Sequence, residues 1–271
     1  MNEVSQQPWY KEWFNSPFYH KLYLERDEQE AQSFIHKLIS HLSPPHGSRM
    51  VDVGCGRGRH SKILAALGFD VTGIDLAPDS IEYAKKFETS HLEFYLHDMR
   101  LPFWINYFDY AFNIFTSFGY FRTRREHDDA IRTISGSLKP GGTLIIDYLN
   151  VHCAEEHLVP NEIKKINSTT YDIHRWHDDS HFYKKINIID PSLSQPVSFT
   201  EIVAKLNLGD FTDMLSYQSM QVQEVFGDYN LSPYDLHKTP RLLIIARKKE
   251  IETGDKDKRL YSDGRTTDSL T

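Results

Sequence analysis

The residues of this chain best suited to chemistry are a glycine turn and three carboxylates. Val51-Asp52-Val53-Gly54-Cys55-Gly56-Arg57-Gly58 sets glycines between an apolar run and a helical pattern. Glycines in that position let the backbone approach a ligand closely, because no Cβ intervenes. Asp52 precedes the first glycine by two residues, where a pyrophosphate site would gain nothing from an added negative charge. Val71-Thr72-Gly73-Ile74-Asp75 ends a second apolar run with a carboxylate 21 residues after Gly54. From there it can accept both hydroxyls of a ribose. Leu96-His97-Asp98-Met99 ends a third run with a carboxylate placed to accept from an adenine amino group. Any one of these is explained as a turn or helix-capping aspartate. All three at successive strand C-termini describe a nucleoside-binding crevice.

Positioning such a set requires a parallel sheet, and the hydrophobic pattern supplies one. Met50–Val53, Val71–Ile74, Leu92–Leu96, Tyr107–Phe115 and Thr143–Tyr148 read as strands. Helical patterns over Ser61–Ala66, Ser80–Lys86 and Arg125–Leu138 separate them, the last stopping before Pro140-Gly141-Gly142. This alternation predicts helices on both faces of the sheet. Upstream, Ala31, Phe34, Ile35, Leu38, Ile39 and Leu42 predict an amphipathic helix that ends at Ser43-Pro44-Pro45. After Tyr148 the rhythm changes to strands at Tyr171–His177, Phe182–Ile189 and Phe199–Leu206 joined by short turns, an antiparallel meander. A helix near Phe211–Ser219 and strands at Val222–Phe226 and Leu242–Arg247 follow. The expected organisation is an aromatic lid and helix over 1–44, a nucleoside-binding core over 45–150 and an antiparallel insert over 151–208. The C-terminal part of the core sheet follows over 209–249, then a charged, Ser/Thr-rich disordered tail over 250–271.

Composition narrows the function. The 271 residues carry 31 Lys+Arg against 38 Asp+Glu, a net charge of −7, which argues against a nucleic-acid phosphate grip. A hydrophobic content of 39% with 13% aromatics fills a core in a chain of this length. The longest uninterrupted apolar stretches, such as Leu242–Ala246, are only a few residues and predict no membrane span, and the start of the chain lacks the basic and apolar regions of a signal peptide. Cys55 and Cys153 cannot build a disulfide framework, which fits a reducing, cytoplasmic setting.

The Asp52–Gly58 turn, Asp75 and Asp98-Met99 together resemble the class I S-adenosylmethionine (SAM)-dependent methyltransferases. The resemblance covers roughly residues 45–150. A nicotinamide dehydrogenase fits less well, because its G-x-G-x-x-G fingerprint finds Gly58 one position early and Arg59 where the last glycine belongs. The resemblance implies a Rossmann-like α/β fold: a seven-stranded sheet with its last strand antiparallel, helices on both faces and the small antiparallel β insert after strand 5. It implies SAM as cofactor and a binding set of Tyr19, Tyr23, Arg26, Asp52, Gly54, Cys55, Gly56, Asp75, Leu76, Asp98, Met99 and Phe115.

The Asn/Asp-Pro-Pro-Tyr/Phe stretch of enzymes that methylate nucleic-acid amino groups is replaced here by Phe115-Thr116-Ser117-Phe118-Gly119-Tyr120. Phe18–Arg26 is similar instead to the N-terminal lid of the small-molecule branch, which includes glycine N-methyltransferase and amino-sugar N,N-dimethyltransferases. By that similarity Arg26 pairs with the methionine carboxylate. The same aromatics also read as a packed staple on the sheet. Sugar dimethyltransferases carry histidine in the loop after the fourth strand, where Tyr120 stands here as the candidate catalytic residue. The expected reaction is methyl transfer to N or O of a small molecule. RNA or protein methylation, or a SAM-binding module without turnover, stay open. The insert walls the substrate pocket or makes a homo-oligomer contact. His174, His177 and His181 are close in sequence, but two of them alternate across a strand and the third follows a turn, so no metal site is expected.

Overall fold

The computed structural model describes residues 9–23 and 28–250. Seven strands form the main sheet: β1 (Arg49–Val53), β2 (Asp70–Asp75), β3 (Leu92–Leu96), β4 (Phe108–Asn113), β5 (Leu138–Leu149), β10 (Met220–Phe226) and β11 (Arg241–Lys248). Their spatial order is β10-β11-β5-β4-β1-β2-β3. The first five are parallel, and β11 runs antiparallel to both of its neighbours. The central strands are buried on both sides, which explains why β11 reads as the unbroken run Leu242-Leu243-Ile244-Ile245-Ala246. Chain reversal after β1 places the C-terminal ends of β1 and β4 side by side, the switch point at which open α/β sheets hold ligands.

Each face of the sheet has its own core. Phe34, Ile35 and Leu38 of α3 (Glu28–Leu42), Leu64 of α4 (Arg59–Ala66) and Ile81 of α5 (Pro78–Ala84) cover one face. Ala130, Ile131 and Ile134 of α6 (Arg124–Ser137) and Phe211 of α8 (Leu208–Ser216) cover the other. A Thr123–Glu126 capping box starts α6 and an Asn207–Asp210 box starts α8, each satisfying backbone N–H groups the first helical turn leaves unpaired. Between them, α7 (Val151–Glu156) leads out of β5 into the insert. Strand β5 begins at Leu138 and passes through Pro140-Gly141-Gly142, where the sequence pattern predicts only a helix stop. Gly141 takes φ +77° there, and the register against β4 shifts at the same point.

The insert is a separate four-stranded antiparallel sheet, β6 (Asn161–Ile166), β7 (Thr169–His177), β8 (His181–Ile189) and β9 (Val197–Ala204). The sequence pattern shows three of these strands. The fourth, β6, is an exposed edge reading Asn-Glu-Ile-Lys-Lys-Ile, too charged to alternate clearly, as edge strands often are. One face of this sheet buries Tyr171, Ile173, Ile186 and Ile188 against Trp13 of α1 (Trp9–Phe14) and Leu22 of α2 (Pro17–Tyr23). Trp13 is fully buried, and its indole N–H donates to Glu201 Oε1 at 2.7 Å. The aromatic N-terminus is therefore the core of the insert, as the staple reading expects. Residues 251–271, expected to be a disordered tail, lie outside the described residues. Among the described residues no helix is long and apolar enough to cross a membrane.

Candidate active site

The turn after β1 is held by hydrogen bonds from both sides. Gly54 and Cys55 N–H donate to the Ile74 carbonyl at 2.8 and 3.0 Å, and Gly56 N–H donates to Asp75 Oδ2 at 2.8 Å. Asp75 Oδ1 accepts from Ala77 N–H at 2.8 Å. Asp75 thus ties the glycine turn to the start of α5, and each of its oxygens keeps a lone pair for a ligand. Burial pushes its carboxyl up from the usual range. Gly56, at φ +55°, lines a cavity of about 330 Å³, and a Cβ there would meet no atom within 4 Å. At Gly54, φ +78°, a Cβ would fall 2.7 Å from Ser117 Cβ, so this glycine lets the turn and the loop after β4 touch.

The cavity gathers most of the expected cofactor set. Gly54, Cys55, Gly56, Asp75 and Leu76 line its glycine-turn side. Asp98, Met99 and Phe115 line the far side, and Tyr19, Tyr23 and Tyr120 close the mouth. Asp98 is gripped by Arg100, whose Nε lies 3.0 Å from Oδ1 and whose Nη2 lies 2.6 Å from Oδ2. Burial raises the Asp98 carboxyl, but the Arg100 fork outweighs it and holds the group below its ordinary value. Burial pushes the Cys55 thiol well up, leaving it an inert wall. Asp52 is placed differently from the rest of the set. It lies beneath the turn, accepting from Ser61 Oγ at 2.6 Å, and anchors α4 rather than lining the cavity. Arg26 lies outside the described residues.

Several cavity groups carry no signal in the sequence pattern. Arg57 and Arg59 bring positive charge to the glycine turn, and Arg57 Nε is buried without a hydrogen-bond partner. His20 is held low, at about 4, by burial and by the Arg57 cation, and so stands uncharged at the mouth at neutral pH. Burial takes His60 to about 3, and its ring stacks 4.9 Å from Phe115.

The loop after β4 is held in an unusual backbone. Phe115 and Thr116 are consecutive non-glycine residues in the left-handed region, at φ +57° and +55°. Such a conformation persists only where surrounding contacts over-determine it. Asp147, fully buried on β5, supplies them. Its Oδ2 accepts from Phe115 N–H at 2.7 Å and from Tyr229 Oη at 3.0 Å. Its Oδ1 accepts from Arg241 Nε at 2.7 Å, and Arg241 Nη2 donates to Thr116 Oγ1 at 2.8 Å. Asp147 sits within the apolar run Leu144-Ile145-Ile146, and Arg241 opens another. A carboxylate directly after Leu144-Ile145-Ile146 and an arginine directly before Leu242–Ala246 were the available clue. Further along, Gly119 takes φ +91°, and a Cβ there would fall 2.0 Å from Tyr148 Oη. Tyr120 then turns into the cavity mouth, and its hydroxyl donates to the Thr116 carbonyl.

A second cavity of about 890 Å³ adjoins the first and shares Phe14, Tyr19, Tyr23, Phe115, Thr116 and Tyr120 with it. Its other walls are the insert sheet, Tyr229 and Arg241.

Two outcomes are expected of the buried acids. Asp147→Asn leaves Arg241 without its counter-charge and should cost about 3 kcal/mol in urea unfolding, the low end for breaking a buried pair, because Arg241 keeps 19% exposure. Asp52 is raised from 3.8 to about 6, chiefly by burial, partly offset by the Ser61 hydrogen bond. The folded state thus binds this proton more tightly than the unfolded chain. The stability it contributes is complete below about 3.8 and lost as pH rises through about 6. Asp52→Asn, which keeps an acceptor for Ser61, should gain on wild type over that window by on the order of 1–3 kcal/mol and hold the gain above it. Urea titrations at stepped pH measure the difference, and a pH-independent gap would remove Asp52 from the folding equilibrium.

Comparison with known proteins fits this geometry. The family described as "Methyltransferase domain" matches residues 51–146. The putative methyltransferase YqeM of Bacillus subtilis (strain 168) is 32% identical over 108 residues, 39% of this chain and 44% of that protein. The chain thus spans under half the length of this curated relative. Among solved structures, a SAM-dependent methyltransferase from Clostridium acetobutylicum ATCC 824 superposes with a TM-score of 0.72 at 16% identity, covering 86% of this chain and 96% of that one. SAM-bound CalS10, an amino pentose methyltransferase from Micromonospora echinaspora, superposes with a TM-score of 0.62 at 20% identity, covering 86% and 98%. Residues 51–146 thus match a methyltransferase domain, and the chain shares the fold of the S-adenosylmethionine-dependent methyltransferases.

Proposed function

We propose that this protein transfers a methyl group from SAM to a nitrogen or oxygen of a small molecule. The observation that carries the reading is the junction of two cavities, one built on the glycine turn and one walled by the insert, meeting at Thr116, Tyr120 and the N-terminal aromatics. The first cavity fits the cofactor by its own chemistry. Gly56 leaves open the space a side chain would fill, Arg57 holds a buried unpartnered N–H, and Asp75 and Asp98 present acceptors.

In this reading Asp75 receives the ribose hydroxyls and Asp98-Met99 faces the adenine. Arg57 and Arg59 offer the charge that a methionine carboxylate needs. When bound, SAM supplies an electrophilic methyl carbon on a sulfonium. The protein's part is positioning and exclusion of water, which for well-oriented reactants lowers a barrier by roughly 7–11 kcal/mol. Phe14, Tyr19 and Tyr23 close the junction from the N-terminal side. The Tyr120 proton is engaged by the Thr116 carbonyl, so toward a ligand the phenol acts as an acceptor. An acceptor in that position orients a nucleophile that carries its own N–H or O–H and leaves the nucleophile's lone pair toward the methyl group. The small-molecule class is supported by the size of the second cavity, about 890 Å³, and by the amino pentose methyltransferase among the structural neighbours.

Asp75→Ala should weaken SAM binding by about 1.5–3 kcal/mol for each charge-assisted hydrogen bond lost. Calorimetry that found tight NAD binding and no SAM binding in the wild type would end this reading. Tyr120→Phe keeps the ring and removes the oxygen. Turnover, assayed with labelled SAM against metabolite pools, should fall about 10²-fold while SAM affinity holds. Unchanged turnover would leave Tyr120 as packing alone.

A further inference from the structure

The wall of the second cavity holds more positive charge than its carboxylates balance. The face of the insert sheet that α1 and α2 cover is apolar under them and charged beyond them. Register places Arg175 of β7 opposite Lys184 of β8, and Lys184 opposite Glu201 of β9. Like charges facing each other across neighbouring strands cost stability. Lys164 of β6 projects from the same face, since it pairs with Tyr171, whose side chain lies in the insert core. All three cations line the cavity.

Their carboxylate partners are shared or already engaged. Glu162 serves two cations, with Arg175 Nη2 donating to its Oε2 at 2.5 Å and Lys164 Nζ 3.4 Å from its Oε1. Glu201 Oε1 accepts from the Trp13 indole at 2.7 Å and from Tyr23 at 2.8 Å, with Lys184 Nζ 3.5 Å from Oε2. Among the described residues, five basic side chains line this cavity, against the lining acids Glu30 and Glu201 and two further carboxylates, Glu162 and Asp147, that pair with the cations, so one positive charge is left over. In a chain of net charge −7, that excess is local and not compositional.

Resting on the methyl-transfer reading, we infer that this wall holds an oxyanion of the methyl acceptor, so the substrate is an anionic small molecule bearing a phosphate or a carboxylate. Beyond the N–H groups given to Glu162 and the Val159 carbonyl, the Arg175 guanidinium has further donors for either oxyanion, and Lys164 and Lys184, the latter also donating to Tyr23 Oη, add point charge. The cavity volume of about 890 Å³ matches a small-molecule site. Anchoring one end of the acceptor at the sheet leaves its other end to reach the junction at Thr116 and Tyr120, which fixes the nucleophile by two points.

The test titrates the full-length protein with inorganic phosphate and, separately, with acetate, following amide shifts by nuclear magnetic resonance with and without S-adenosylhomocysteine. Saturable shifts on β6, β7 and β8 are expected, and the tighter anion identifies the source of the charge. The K164Q/R175Q variant should bind that anion at least about tenfold more weakly, while R175K, which keeps charge without the fork, should lose less. K164Q alone, at an exposed position, should weaken binding at least threefold if the double variant does not fold. No saturable response to either anion, or equal affinity in the neutralised variants, overturns the proposal. Failure to bind S-adenosylhomocysteine with the anion response intact would instead count against the methyl-transfer reading and leave the oxyanion site standing.

Discussion

The buried carboxylate of Asp147 is the group on which the site depends most. It joins the loop after β4 through Phe115 N–H, the β10–β11 connection through Tyr229 and the start of β11 through Arg241. A charge placed in the centre of a sheet is costly unless its lone pairs are satisfied and a counter-charge is close. Here three donors converge on two oxygens. The same contacts hold Phe115 and Thr116 in left-handed backbone, and the Phe115 ring lies between His60 and Tyr229. That loop borders both cavities, so the geometry of the proposed chemistry rests on this pair of charges.

The N-terminal aromatics couple the two sheets. Trp13 and Leu22 fill the insert core, while Phe14, Tyr19 and Tyr23 from the same two short helices line the cavity junction. Tyr171 Oη donates to the Phe18 carbonyl at 3.0 Å, and the Tyr148 hydroxyl donates to the Ala204 carbonyl at 2.6 Å, fastening the insert to both the N-terminus and the main sheet. Helices this short do not persist on their own. Their order comes from the apolar face they cover, so the insert sheet and the aromatic cover form together.

Charge is divided along the same boundary. The first cavity is lined by Asp75 and Asp98, with Arg57 and Arg59 at the turn. The insert side presents Lys164, Arg175 and Lys184. A net charge of −7 describes neither surface, which is why whole-chain electrostatics argues about nucleic-acid binding in general and not about a particular cleft.

The fold class and the cofactor side were legible in the sequence because local chemistry determines them. Strand–turn–helix patterns with period-specific apolar runs, glycines at positive φ and carboxylates at strand ends are read from neighbours along the chain. Asp75 and Asp98 reach the cavity because β2 and β3 end there, and Gly54 and Gly56 do so because the turn must pass close to Ser117 and to open space. Asp52 shows the limit of that logic. Its side chain faces Ser61 of α4, and a period-2 strand next to a tight turn does not say which way a residue at its end points. The exposed strand β6 escaped notice because its charges hide the alternation. The Asp147–Arg241 pair joins residues 94 apart in sequence, and the Lys164–Arg175–Lys184 wall exists only once three strands are in register. Burial, counter-charge and register are properties of pairs brought together from distant parts of the chain, so the second cavity was decided by tertiary structure alone.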